Sequence, residues 1–335
     1  MSILSNTECH NSQRDSCFQE LADDIIYSIL EFSESLFILR VCMRISKQWL
    51  RKALEIPLSY KFYGTTMVDH CYQSYEKSIS NTINRSNIIM MSTESTNTVG
   101  KILENMTELS FVGVDMNTLS ENNVIHMITQ LKFRKKLKKL EISQCSLLSH
   151  NVKRLLSCEN LQNLENLVLT KTELKSEAVE YICKSTLLKR LQSLNLSSND
   201  ITDVDMKMIS ESETLCNVTQ LNLSHTKIQH SGIIALMNSP FITQLSTLHL
   251  GYLKFQSNEL QTIVSNPRCN HLRSIHLQCN SIRTEGARIL ARSEFVYNIT
   301  QLDLGHNKIQ NDGVNYIVTS TNLKNLKESK IIPWK

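Results

Sequence analysis

From about residue 105 the apolar positions recur every 27 residues without a slip. One column runs Leu140, Leu167, Leu194, Leu221, Leu248, Ile275 and Leu302. Two residues on stand Ile142, Leu169, Leu196, Leu223, Leu250, Leu277 and Leu304. Three residues before the first column lie Leu137, Leu164, Leu191, Val218, Leu245, Leu272 and Ile299. Seven residues after it lie Leu147, Leu174, Ile201, Ile228, Phe255, Ile282 and Ile309. The paired columns alternate with period two, which predicts a short strand. The second half of each unit predicts a helix. Between Ser176 and Cys183, for example, Val179, Ile182 and Cys183 recur at helical spacing. A further apolar column (Leu155, Ile182, Ile209, Leu236, Ile263, Leu290, Ile317) continues this face. Gly232, Gly286 and Gly313 recur near the helix starts, where a tight turn needs little side chain.

One such unit cannot bury its own apolar edges, but a stack can. Residues 105–335 are therefore expected to form an α/β solenoid, with parallel strands on the concave face and helices on the convex face. The pattern L-x-x-L-x-L-x-x-N/C/T-x-L resembles the leucine-rich repeat, and the 27-residue helix-bearing unit is similar to its ribonuclease-inhibitor class. The turn column reads Cys145, Thr172, Asn199, Thr226, Leu253, Asn280 and Asn307. Its task is to satisfy backbone groups where the chain leaves the strand. Leu253 lacks the side chain for this, which predicts a local irregularity there. An earlier copy begins at Met106, and Ile331, Ile332 and Trp334 are expected to cap the open end.

Composition narrows the class. Apolar residues make up 41% of 335, enough for a folded chain. A net charge of +4 is too mild to diagnose a nucleic-acid binder. No apolar run approaches the length of a membrane-spanning helix. The ten cysteines contain no CxxC pair, and the polar start, residues 1–17, has no apolar signal region. A reducing compartment follows, cytoplasmic or nuclear.

Residues 18–56 have no 27-residue relation to the rest and read as short amphipathic helices. Leu21 to Leu30, then Leu39-Arg40-Val41, then Ile45-Ser46-Lys47-Gln48-Trp49 resemble the F-box, whose motif runs L-P-x-E/D-I/L-x-x-x-I-L, a leucine-rich helix, and V-S-K-x-W. Ala22 stands where that family usually has Pro, and Ser33 where Leu is common. The resemblance implies that Leu21, Asp24, Ile25, Ile29, Leu30, Ile45 and Trp49 dock on a Skp-type adaptor, and through it on a cullin. The protein would then be the substrate-recognition subunit of a cullin-RING (SCF-type) ubiquitin ligase, with the repeats holding a target protein. A plain interaction scaffold or inhibitor, its N-terminus only a cap, is the alternative. A GTPase-activating protein built on similar repeats is a third. Residues 57–104, rich in Ser, Thr and Asn between Gln73 and Gly100, read as a connecting segment.

The middle residue of each L-x-L points away from the core. This places Asn195, Asn222, His249, His276 and Asp303 on the concave face, with His225, Tyr252, Gln278 and His306 just beyond. Tyr and His anchor partner segments through an apolar body and a polar tip. His249, His276 and Asp303 have metal-ligating chemistry, but solvent-facing polar residues are the better reading, and no metal or cofactor is expected. Lys132 to Lys139 carries six basic residues in eight, read as a solvated face because Leu137 within it belongs to an apolar column. There is no GxSxG, HExxH or G-x-x-x-x-G-K-[ST] motif, so no enzyme activity is expected.

Overall fold

The computed structural model describes residues 58–63, 106–113, 125, 128–129 and 136–332. The F-box-like string and Trp334 lie outside the described residues. Among the described residues ten parallel strands form one sheet in strict chain order: β1 (Leu58–Tyr63), β2 (Met106–Val112), β3 (Lys139–Ser143), β4 (Asn166–Thr170), β5 (Ser193–Asn195), β6 (Gln220–Asn222), β7 (Thr247–His249), β8 (Ser274–His276), β9 (Gln301–Asp303) and β10 (Glu328–Lys330). From β3 onward each strand pairs with the next at the sequence period, so Leu140 faces Leu167 and Leu248 faces Ile275. The sheet begins at β1, inside the segment that sequence leaves as a connection, and β1 pairs with β2.

Seven helices follow strands β3 to β9: α1 (Ser149–Leu155), α2 (Ser176–Lys184), α3 (Asp203–Ser210), α4 (His230–Met237), α5 (Ser257–Val264), α6 (Arg283–Arg292) and α7 (Asn311–Val318). Adjacent strands sit about 4.8 Å apart, whereas packed helices need about 8–10 Å. The layer of helices must therefore be longer than the sheet, and the stack curves with the strands inside. Between the layers runs one continuous core of the columns read from sequence, with Leu140, Leu194, Leu250 and Ile263 fully buried. Each such side chain contributes roughly 1.5–3 kcal/mol.

Polar columns run beside the apolar ones and tie each unit to the next. Asn199 Oδ1 accepts from the backbone N–H of Thr172 (2.9 Å) and Leu174 (3.2 Å) in the preceding unit. Its Nδ2 donates to the carbonyls of Leu169 (2.6 Å) and Leu196 (3.0 Å). Asn280 repeats this with Leu253, Phe255, Leu250 and Leu277. The turn at Leu253 is thus not irregular. Asn280 from the next unit serves its backbone, and Leu253 buries its own side chain.

The residue before each turn position is left-handed: Gln144, Lys171, Ser198, His225, Tyr252, Cys279 and His306 have φ of 56–58°, 54° or 60°. A side chain there costs about 1–2 kcal/mol. The conformation aims the N–H at the next unit, as in Lys171 to Ser197 (3.0 Å) and His225 to Gly251 (2.8 Å). From β3 onward these turns do not use glycine, whereas after β2 Gly113 (φ 65°) holds the equivalent position and donates to the Ser143 carbonyl (2.9 Å). Gly232, Gly286 and Gly313 have ordinary φ, and their role is space. A Cβ on Gly232 would sit 2.8 Å from Ile228 Cγ2, and one on Gly313 3.2 Å from the Thr284 Cα of the neighbouring unit. The same slot holds Asp205 and Glu259, whose carboxylates turn back to cap their own helices at Thr202 and Gln256.

A third column closes the helix ends. Ser212, Ser239 and Ser320 donate to the carbonyls of Cys183 (2.7 Å), Ser210 (2.5 Å) and Ala291 (2.6 Å), within the last two residues of the preceding helix. Asn266 and Ser293 do the same to Met237 and Val264. At the C-terminal end Ile331 packs on the core, while Ile332 is half exposed.

Candidate protein-interaction face

The inward columns of β5 to β9 present the residues expected there. The structure brings two pairs together. The His249 and His276 rings stack with centroids 4.1 Å apart and planes 7° from parallel. This follows directly from the register, which sets His249 opposite His276. His276 Nε2 shares a 2.9 Å hydrogen bond with Ser274 Oγ. Burial, then the neighbouring His276, pushes the His249 imidazole down to about 4. His276 is also lowered by burial, against the pull of the Asp303 carboxylate. Stacked rings direct their nitrogens outward in parallel rather than at one point. Among the described residues no group of three or more His, Cys, Asp or Glu is arranged to hold a metal ion.

The second pair is His225 and Tyr252, whose rings lie 5.9 Å apart at 39°. They flank an open groove of about 470 Å³ that also takes in Asp200, Lys227, Lys254 and Cys279. Tyr252 is exposed, and the neighbouring Cys279 raises its phenol above the usual range. Lys227 and Asp200 pair at 2.9 Å across neighbouring units. Sequence reasoning placed His225 and Tyr252 but missed both lysines. Their 27-residue spacing was the available signal, hidden because they follow the turn and not the strand.

Asn195, Asn222 and Asp303 share another role. Each side-chain Oδ1 accepts from the backbone N–H two residues on: Ser197 (3.0 Å), Ser224 (3.0 Å) and Gly305 (2.9 Å). These bonds fix the side chains against the sheet. Gln278 lies over Gly251, where a Cβ would come 2.7 Å from its Cδ, and its Oε1 is buried without a hydrogen-bond partner. His306 is exposed beyond the stack. Leu21, Asp24, Ile25, Ile29, Leu30, Ile45 and Trp49 lie outside the described residues. Of the basic run, Lys138 pairs with Glu165 (3.0 Å) and Lys139 with Glu108 (3.7 Å), while Leu137 is fully buried.

Cys183 and Cys269 face the core, and burial pushes both thiols up to about 12, so they behave as small apolar groups. Among the described residues no helix is long and apolar enough to cross a membrane.

A leucine-rich-repeat family model matches residues 190–210, 214–237, 268–291 and 298–318. The 27-residue unit is therefore a leucine-rich repeat. No curated protein matches the chain in sequence. Similar solved structures include a chain of the yeast Rad7 and Elc1 complex, with 13% identity, TM-score 0.47, and coverage of 94% of this chain and 91% of that one. A protein from Bacteroides fragilis shows 14% identity and TM-score 0.48, with coverage of 70% and 67%.

Proposed function

We propose that this leucine-rich-repeat protein is the substrate-recognition subunit of a cullin-RING ubiquitin ligase. The observation that carries the reading is the F-box-like string, Leu21 to Trp49, placed ahead of a solenoid with an open polar concave face. Leu21, Asp24, Ile25, Ile29, Leu30, Ile45 and Trp49 would dock on a Skp-type adaptor, and the repeats would hold a target protein. The chain then needs no active site of its own. It acts by proximity, raising the local concentration of a target beside the ligase, in the cytoplasm or nucleus.

Co-purification with a Skp-type adaptor tests this, with the wild type beside Ile25→Asp/Ile29→Asp. The wild type is expected to carry the adaptor. The double variant should lose it while its circular dichroism is unchanged. A folded wild type that binds no adaptor overturns the ligase reading and leaves an interaction scaffold, the reading that the repeats support by themselves.

A further inference from the structure

Charge is distributed unevenly along the concave face. On β4 to β8 the concave positions are the middle residue of each L-x-L and the residues immediately before and after that triplet. At these three positions on five consecutive strands there is no Asp, Glu, Lys or Arg. They hold Asn, Gln, Ser, Thr, His, Gly and one Val. At these positions charge returns only on the outer strands, with Glu108, Lys139 and Glu141 on one side and Asp303, Glu328 and Lys330 on the other, while Asp200, Lys227 and Lys254 border the face just beyond the strands. None of the ion pairs among the described residues lies on this stretch.

The central histidines do not break the pattern at neutral pH. Two rings stacked at 4.1 Å cannot both carry a proton without repulsion, and burial favours the neutral form of each. The surface is nonetheless set to bond. The Asn195 and Asn222 amides are held in place through Oδ1 at a half-buried surface. A partner side chain with a full charge would lose water here and find no opposite charge, which is costly. A partner offering amides, hydroxyls and apolar groups would lose nothing comparable.

We propose that the concave face of β4 to β8 recognises an uncharged polypeptide segment, by hydrogen bonds and shape and not by ion pairing. This rests on the reading that the concave face is the partner site, and it does not depend on the adaptor link.

The test is peptide display, panning a random 12–16-residue library on the full-length protein. The comparison variant is Asn195→Asp/Asn222→Asp, which adds two charges and no bulk. Asp303 already makes the same bond to Gly305 in the same column, so the fold accepts a carboxylate there. Peptides enriched on the wild type should have no charged residue in their common core. Their affinity should change less than about twofold between low and high salt, because no exposed ion pair is screened. The double variant, folded by circular dichroism, should weaken them about tenfold or more. Enrichment of acidic or basic cores, a steep loss with salt, or indifference to the double variant overturns the proposal. The adaptor co-purification reads the other end of the chain, so either result can fail while the other stands.

Discussion

On the convex side, the hydroxyls of Ser212, Ser239 and Ser320 turn inward and close the helix ends. On the concave side, Ser193, Asn195, Asn222 and Thr247 remain at a half-buried surface. The ion pairs divide the same way. Glu180–Lys184 and Glu285–Arg288 sit on helices, whereas the centre of the sheet has none among the described residues. Side chains of one chemical type thus do two jobs. Where a polar group faces a carbonyl of the neighbouring repeat, it is consumed by the fold. Where it faces the open side, it is available to another molecule.

The comparison can be broken most strongly at the column between the two faces. Asn280→Ala removes four buried hydrogen bonds at once and leaves backbone groups of two repeats unpaired. It should cost about 3 kcal/mol, read as a lower urea midpoint.

A smaller effect should come from acid. His249 is held near 4 in the folded chain against 6.5 when free, so the folded form binds its proton less readily. Its neutral form contributes fully above pH 6.5. Stability should fall as pH drops from 6.5 towards 4 and then level, by about 1–3 kcal/mol from this group. His249→Asn, which copies Asn222 in the same column, should flatten that part of the stability–pH curve. An unchanged slope would mean that His249 is not the group that makes stability fall with acid.

The smallest effect belongs to the convex side. Ser212→Ala should cost about 1 kcal/mol by urea titration, with no change in peptide binding on the concave face.

The apolar columns were legible because they repeat with one chemistry. Leu140 and its equivalents can only be core, and the period of two at L-x-L can only be a strand. The concave position of Asn195, Asn222, His249, His276 and Asp303 follows from that alternation. Other features escaped because their residues vary. The left-handed column is Gly113 after β2 and then Gln, Lys, Ser, His, Tyr, Cys and His, with no shared side chain to mark it. It is selected by where its N–H points, which a side-chain pattern does not record. Gly232 was legible as a position with little room for a side chain, but it stands inside α4 and not in a turn, which the residue alone does not show. Leu253 was misread because the turn's partner comes from 27 residues later, at Asn280.

That last relation has a direction. Asn199 serves Thr172, Asn280 serves Leu253, and Ser320 serves Ala291; the later repeat completes the earlier one each time. During translation, the turn at Thr172 therefore stays open until Asn199 has left the ribosome. Folding of the nascent chain should trail synthesis by about one repeat. A chain cut short at its C-terminal side would leave its last turn and last helix end without the side chains that complete them.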